Sequence, residues 1–464
     1  MHFDPRRRRA LAALGTLASL GAWPRLLRAR AGARVAVIGA GAAGIAAAAA
    51  LRQAGADVVV LEARTRLGGR IWTSDALGVP VDLGAAWIHG ERGNPMVALA
   101  RAAGVGTRAT DWDAIRLHDH DGTLLSEEAS ELVWAVTERM LAELVRAGRW
   151  ARSDASMVEA VAALRRTHLA ALSPSVSRGV DWALHAMIES ESGASYAERS
   201  LAAYNAEQAL EGDDLLLERG YQALIAPVAE TLAVRLGQVV QAVRHDASGV
   251  VLVLQHGAPL RVDAAVLTVP LGVLKADATH IEPALPDAQR LAIARLGMGV
   301  LDKLVLRFPE RFWPAGDAPF GIVAPPALAD AGLEVYPVDG LLGAPLLVLL
   351  YGGPRARRMA GLGGTAQRVA DAMARLRVVF PDAPDPSAVQ ATDWAADPWS
   401  RGSYSVLAPG SSLADYRALA QPAGPRLWLA GEATVDDFPA TVHGAWRSGQ
   451  RAAREVLAAL SAPA

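Results

Sequence analysis

Cysteine is absent from all 464 residues. That excludes disulfides, thiolate metal sites, thiol nucleophiles, lipoprotein anchoring and any cysteinyl bond to a cofactor. No apolar run approaches the ~20 residues a spanning helix needs, so a multi-span membrane protein is excluded as well. Aromatic residues make up only 5% of the chain and charged residues 20%, against 52% hydrophobic. This balance rules out a disordered, collagenous or coiled-coil chain. Lysine is the other scarcity. Of 46 basic residues only Lys275 and Lys303 are lysines; the rest are arginine. Where either cation would serve, this chain uses arginine, so each lysine is a candidate for a place that needs a compact ammonium or amine.

What is present has room for two or three domains at ~100–200 residues each. The net charge of −2 conceals a split. Residues 1–31 hold seven arginines against Asp4 alone, so the other 433 residues carry 39 basic and 47 acidic side chains. A body of that sign does not suit nucleic acid. The first residues read as an export signal: Arg6-Arg7-Arg8-Arg9, a short apolar stretch from Ala10 to Trp23, then the small-x-small site Ala29-Arg30-Ala31. The arginine cluster resembles a twin-arginine signal, although no Phe follows the arginine pair. The expectation is a folded, cofactor-loaded protein delivered to the periplasm or secreted, without a stable membrane anchor.

The mature chain opens on Arg34-Val-Ala-Val-Ile38, an apolar run suited to a buried parallel strand. It enters Gly39-Ala-Gly41-Ala-Ala43-Gly44, followed by an Ala-rich helical segment over 45–54 that Gly55 stops. Val58-Val-Val-Leu61 is a second strand ending at Glu62. Strand, glycine turn, helix, strand and acid about 20 residues on form the Rossmann βαβ pattern. Gly39 permits the tight turn, Gly41 lets backbone approach a pyrophosphate, and Gly44 lets helix and strand pack closely. The helix N-terminus faces the phosphates, and Glu62 accepts hydrogen bonds from the ribose.

Directly after Glu62 come Ala63, Arg64, Thr65, Arg66, Leu67, Gly68, Gly69 and Arg70. This stretch resembles the Arg-x-Gly-Gly-Arg continuation of flavin amine oxidases and points to FAD rather than NAD. Four further segments resemble the polyamine-oxidase branch of that family, which also includes monoamine oxidases and lysine-specific histone demethylases. They are Asp82-Leu-Gly-Ala-Ala-Trp-Ile-His89-Gly90 and Leu267-Thr-Val-Pro-Leu-Gly-Val-Leu274 leading on to Gly297–Phe308. The others are Trp394-Ala-Ala-Asp-Pro-Trp-Ser-Arg-Gly-Ser-Tyr404-Ser405, and Gly431-Glu432-Ala-Thr followed by Ala440-Thr441-Val442-His443-Gly444.

The resemblance implies an α/β fold: a Rossmann-type FAD-binding domain over 33–90, 215–283 and 420–458, interleaved with a substrate domain of mixed sheet and helices over 91–214 and 284–419. It implies that the backbone at Val240 meets adenine and that Gly431 and Glu432 lie beside the ribityl–diphosphate region. Ala43, Ala63, Arg64, Gly69 and Arg70 complete the cofactor set. Lys303 holds a water against flavin N5, and Trp394 and Tyr404 flank the isoalloxazine and the amine. A helix beginning at Gly444 points its first turn at the flavin, and the peptide N–H groups near Thr441 and Val442 stabilise reduced flavin. Thr441 stands where monoamine oxidases carry a second tyrosine, so the aromatic sandwich is incomplete. His89 lines the substrate passage, whereas His443 is expected to be structural.

The implied reaction is oxidation of an amine to an imine, with hydrolysis to an aldehyde or ketone. No metal site is expected. Without cysteine the FAD is held non-covalently. The expected partners are a small-molecule amine and O2 or a periplasmic electron acceptor, with the protein a monomer or homodimer. Three alternatives stand beside this: a dehydrogenase passing electrons to a periplasmic cytochrome, an L-amino-acid oxidase or desaturase, and a catalytically idle interaction module. The second needs an arginine in the pocket to clamp a carboxylate, for which Arg116 and Arg401 are candidates.

Overall fold

A computed structural model describes residues 32–316, 318–328 and 332–461. The arginine-rich signal expected over 1–31 lies outside the described residues.

The apolar runs near the start of the chain become the centre of a five-stranded parallel sheet. Its order is Leu427–Leu429, Ala264–Leu267, Arg34–Ile38, Asp57–Leu61 and Ala233–Arg235. Val35 to Ile38 are buried, as a parallel strand covered on both faces requires. One face packs on the helix Ala42–Gln53 and the C-terminal helix Val442–Ser461. The glycine helix therefore starts three residues earlier than its Ala-rich run suggested, inside the glycine motif. Gly55, at φ +92°, ends it. The other face carries a four-stranded sheet, Leu260–Val262, Gly249–Leu254, Val240–Asp246 and His280–Glu282.

Leu285, Ala292, Leu296, Tyr416 and Leu419 belong to the same buried layer as Ile38 and Leu61. The domain boundaries placed at 283/284 and 419/420 thus run through one packed layer. The short helices Asp287–Arg295 and Leu413–Ala420 lie against each other there.

The second unit is built on a six-stranded sheet in the order Ala388–Ala391, Leu301–Arg307, Leu346–Gly352, Leu333–Pro337, Phe320–Ile322 and Arg116–His118. Alternation divides its side chains. Leu304, Leu306, Leu347, Leu349 and Val335 pack beneath the helices Pro354–Gly361 and Thr365–Val379. Val305, Val348, Leu350 and Tyr336 face Leu77, Val81 and Leu83 of the dinucleotide unit. The amphipathic pattern after residue 125 forms the helices Glu127–Gly148 and Val158–Leu169, with Val133, Met140 and Leu144 buried. Pro174–Leu184 follows and passes without a break into a π-helical turn, His185–Ser190. Among the described residues no helix is long and apolar enough to cross a membrane.

Candidate active site

Residues of both units line a cavity of about 610 Å³. Its wall includes Gly39, Gly41, Ala43, Glu62, Ala63, Arg64, Gly69, Arg70, Val240, Gly431, Glu432, Thr441 and Val442 from the predicted cofactor set, and Lys303, Trp394, Tyr404 and His89 from the predicted reaction set. Of the expected residues only Gly44 is not part of the wall, and its geometry says why. A Cβ built there would lie 2.0 Å from the Gly39 carbonyl oxygen, so Gly44 serves helix–strand contact. Gly41 differs. The nearest protein atom to a Cβ built there is the Gly68 carbonyl oxygen at 3.8 Å, so a side chain would project into the cavity itself. A cradle kept open at that point, at the N-terminus of a helix, fits a diphosphate.

Glu62 is buried and accepts hydrogen bonds from the N–H groups of Ala40 at 2.7 Å and Arg64 at 2.8 Å, which fix its carboxylate at the end of the second strand. Each oxygen has a lone pair left for a ribose hydroxyl. The two arginines of the expected cofactor set, both in the wall, are also paired with carboxylates. Arg64 forms a two-pronged pair with Asp397 at 2.6 and 2.8 Å, and Arg70 pairs with Glu432 at 2.8 Å. Sequence spacing gave no sign of Asp397, which lies 333 residues away.

Glu432 is the hub of a network. Besides Arg70, it accepts from the Ser405 hydroxyl at 2.6 Å and from the Ala440 N–H at 3.0 Å. Ala440 has φ +59°, a conformation that Gly adopts more readily, and the Glu432 bond holds it in the turn before the C-terminal helix. That helix begins at Val442, not Gly444. Thr441 is its cap: its hydroxyl oxygen accepts the Gly444 N–H at 3.0 Å and donates to the Phe438 carbonyl at 2.8 Å. The positive end of the helix dipole therefore stands at the cavity wall.

Lys303 is 4% exposed on the strand Leu301–Arg307. Its Nζ donates to the backbone carbonyls of Asp82 and Gly84, each at 2.8 Å, and the ammonium has a third N–H. The Trp87 ring centroid lies 5.8 Å away. Burial brings the Lys303 pKa down to about 8, against a smaller opposing pull from Asp82. Burial likewise pushes the Asp82 carboxyl up to about 6, opposed by the Thr73 hydroxyl, the Lys303 charge and the Tyr221 N–H. On the opposite face of the strand, Asp302 accepts from Thr392 and from the Trp394 N–H, both at 2.8 Å, which ties Trp394 to the lysine strand. Trp394 meets Trp72 edge to face with centroids 6.1 Å apart. Tyr404 donates its hydroxyl to the Glu191 carbonyl at 2.8 Å, linking its ring to the end of the π-turn.

His89 Nδ1 lies 3.3 Å from Asp214. His443, 3% exposed, also lines the cavity. Burial first, then the nearby His89 and Arg447, lower its pKa to about 3, so it is neutral under ordinary conditions. Sequence reasoning missed the other acids of the wall, Glu138, Glu191, Glu207, Asp214 and Glu334, and Tyr336 with them. No motif carries them: Glu138 comes from the helix Glu127–Gly148, Glu191 from the end of the π-turn, Glu207 from a loop, and Asp214, Glu334 and Tyr336 from strands. Arg116 and Arg401 are exposed and outside the wall, so neither supplies a carboxylate clamp.

The chain matches the family model described as flavin containing amine oxidoreductase over residues 42–457. It is 34% identical over 439 residues to polyamine oxidase 4 of Oryza sativa subsp. japonica, covering 91% of this chain and 88% of that protein. Against polyamine oxidase 2 of Arabidopsis thaliana the identity is 33%, covering 91% and 87%. A lysine-specific histone demethylase 1 homolog 2 from the same rice is 33% identical over 92% of this chain, but only 57% of that protein is matched.

Proposed function

Because the chain belongs to the flavin-containing amine oxidoreductases, an FAD-dependent amine-oxidising family, we propose that its substrate is an aliphatic amine carrying more than one nitrogen. One observation carries this. The cavity that contains the dinucleotide glycines also contains Glu138, Glu191, Glu207, Asp214 and Glu334, facing only Lys303 and Arg199 as cations outside the cofactor segment. An acid-rich chamber of that kind attracts a polycation and repels an amino-acid carboxylate.

FAD, when bound, supplies the two-electron sink for a hydride from the carbon beside the amine nitrogen. The protein's part is position and charge. Gly39, Gly41 and Glu62 hold the dinucleotide end. Thr441 and Val442 present the positive end of the C-terminal helix, and Trp394 and Tyr404 confine the reacting amine. Lys303, anchored by the Asp82 and Gly84 carbonyls, keeps an N–H available to order a water at the reacting end. The amine loses two electrons and two protons, one proton leaving with the electrons as hydride and one from nitrogen, to become an imine, and water then gives an aldehyde or ketone and the cleaved amine. The two electrons pass to O2, which takes two protons and leaves as H2O2. The absence of cysteine supports non-covalent FAD. The arginine cluster and apolar stretch of residues 1–31 support export of the loaded enzyme.

The test is an amine panel with H2O2 measured alongside product. Rapid bleaching of the flavin by polyamines followed by fast reoxidation in O2 is expected; reoxidation taking many minutes assigns the electrons to another acceptor. Hydride departure needs the nitrogen lone pair, so only the neutral amine reacts. We expect kcat/KM to climb with pH through the substrate's own pKa, near the ~10 of an alkylammonium. A flat profile from about pH 6 to 10 contradicts that dependence on a neutral amine.

A further inference from the structure

Lys303 can offer a donor to the cavity only while it is charged. The ammonium carries three N–H groups, and two are taken up by the Asp82 and Gly84 carbonyls, each at 2.8 Å. A neutral amine has two N–H groups and a lone pair. With both carbonyls satisfied, it meets a water in the cavity as an acceptor. Whatever holds the proton on Lys303 therefore decides which way that water points.

The carboxylates of the surrounding elements differ in what engages them. Asp302, next in the chain, projects from the opposite face and is bonded to Thr392 and the Trp394 N–H. Leu350 stands opposite Lys303 on the neighbouring strand, and Glu334, on the strand beyond, is paired with Arg355 at 3.2 Å. Trp87 presents its ring. Asp82 is the acid whose charge opposes the lowering of Lys303 by burial.

The Asp82 carboxylate is itself built into place. Its strand, Val81–Asp82, pairs with Thr73–Ser74, with Thr73 directly opposite. Asp82 Oδ1 accepts the Thr73 hydroxyl at 2.5 Å, and the Tyr221 N–H is shared between the two carboxylate oxygens at 2.9 and 3.0 Å. Thr73 Oγ1 in turn accepts the Gln222 N–H at 3.0 Å. These N–H groups open the helix Gln222–Ala229, whose positive end favours a carboxylate. The second carbonyl of the lysine seat is held as closely: a Cβ built on Gly84 would lie 1.9 Å from the Arg70 carbonyl oxygen. Leu83, Gly84 and Ala85 line the cavity, whereas Asp82 lies behind that wall.

We propose that Asp82 is the positioning residue for Lys303, supplying both a carbonyl that seats the ammonium and the negative charge that keeps its third N–H in place. This deepens the amine-oxidation reading above and rests on it for what that N–H does in the reaction. Burial pushes the Asp82 carboxyl up to about 6 and brings Lys303 down to about 8. Below that window Asp82 takes up a proton; above it Lys303 loses one.

The scarcity of lysine makes the test direct. An NMR label at the lysine ε-carbon reports Lys275 and Lys303 alone, and Lys303→Met assigns the two signals. In the FAD-loaded enzyme without amine, the Lys303 signal is expected to move in two steps, near pH 6 as Asp82 titrates and near pH 8 as its own amine does. Asp82→Asn keeps the shape and an acceptor for the Tyr221 N–H but not the charge. It should abolish the lower step and bring the upper one down by ~0.5 unit or more. Thr73→Val takes a donor from the carboxylate and should raise the lower step, and Thr73→Ser should restore it. These two variants carry the test if Asp82→Asn does not fold. Lys275, exposed and bonded to the Ala294 carbonyl at 3.1 Å, is the internal control and should be unaffected by any of them. A Lys303 signal with one step, unchanged in Asp82→Asn, overturns the proposal. Stopped-flow rates of flavin reduction and reoxidation across the same pH range give the second readout. The rate that depends on Lys303 should change at the pH of the upper NMR step, in the wild type and in Asp82→Asn alike. If the signal moves as expected but neither rate follows it, the pairing of Asp82 with Lys303 stands and the part given to Lys303 in amine oxidation falls.

Discussion

Replacing Lys303 by Met is expected to slow flavin reduction or reoxidation by about 10²–10³-fold while FAD stays bound, the scale of a lost proton-handling or electrostatic group at a reacting centre. Met fills almost the same volume, so no cavity opens, but its thioether cannot donate. The Asp82 and Gly84 carbonyls lose their donor and the ordered N–H disappears. The cradle residues Gly39, Gly41 and Glu62 do not touch Lys303 Nζ, which is why the cofactor should remain. Stopped-flow measurement of both half-reactions decides the matter; unchanged rates in both remove the role given to Lys303. A second readout separates chemistry from packing. Lys303 has a folded-state pKa near 8, below the ~10.4 of an unfolded lysine. Below about 8 both states hold the proton, and between those values the unfolded chain holds more. Stability therefore rises with pH across that window. The Met variant should lose this rise, measured as the melting temperature from about pH 7 to 10.

What could be read before any coordinates was whatever depends on short spacing. Gly39, Gly41 and Gly44, the flanking strands and Glu62 lie within 30 residues, and each has its own steric or hydrogen-bonding reason to be where it is. Lys303 announced itself by being one of two lysines among 46 basic residues in a run of apolar neighbours. The partners of these residues were not legible. Asp397 beside Arg64 and Glu432 beside Arg70 are joined by folding, not by spacing. The chamber's acids were hidden for the same reason: Glu334 occupies a strand whose other residues are apolar, and only its register against Leu350 brings it level with Lys303. Thr441 was assigned by position alone, and its capping bond to the Gly444 N–H gives it a physical reason. The helix start was misplaced by two residues because Gly444 looks like a boundary. It is instead an interior position, where an added Cβ would lie 2.0 Å from the Phe438 carbonyl oxygen.

Gly41 separates cofactor binding from folding more cleanly than any other position. The Gly41→Asp variant is expected to fold, melt at or above the temperature of the cofactor-free wild type, and purify without yellow colour. The reason is that Asp is favoured where glycine now stands. Gly41 is the N-cap of the helix Ala42–Gln53, with extended backbone at φ −79° and ψ −176° and no side-chain cap bond. An Asp carboxylate there accepts from the helix's first N–H groups and complements its dipole, a gain of up to about 1 kcal/mol. No protein atom obstructs it, because the nearest lies 3.8 Å from the added Cβ. The same carboxylate occupies the cradle and takes the N–H groups offered to the diphosphate. Like charges at contact cost several kcal/mol, so FAD affinity should fall by at least ~100-fold, about 2.7 kcal/mol. Gly44→Ala is the control in the opposite sense. Its Cβ at 2.0 Å from the Gly39 carbonyl oxygen forces helix and strand apart, so that variant should lose stability with or without cofactor. Flavin absorbance after purification, melting curves with and without added FAD, and titration of the cofactor-free protein make the comparison. A yellow Gly41→Asp enzyme with wild-type affinity would mean that the diphosphate does not lie against this turn, and the placement of the whole cofactor would have to be abandoned.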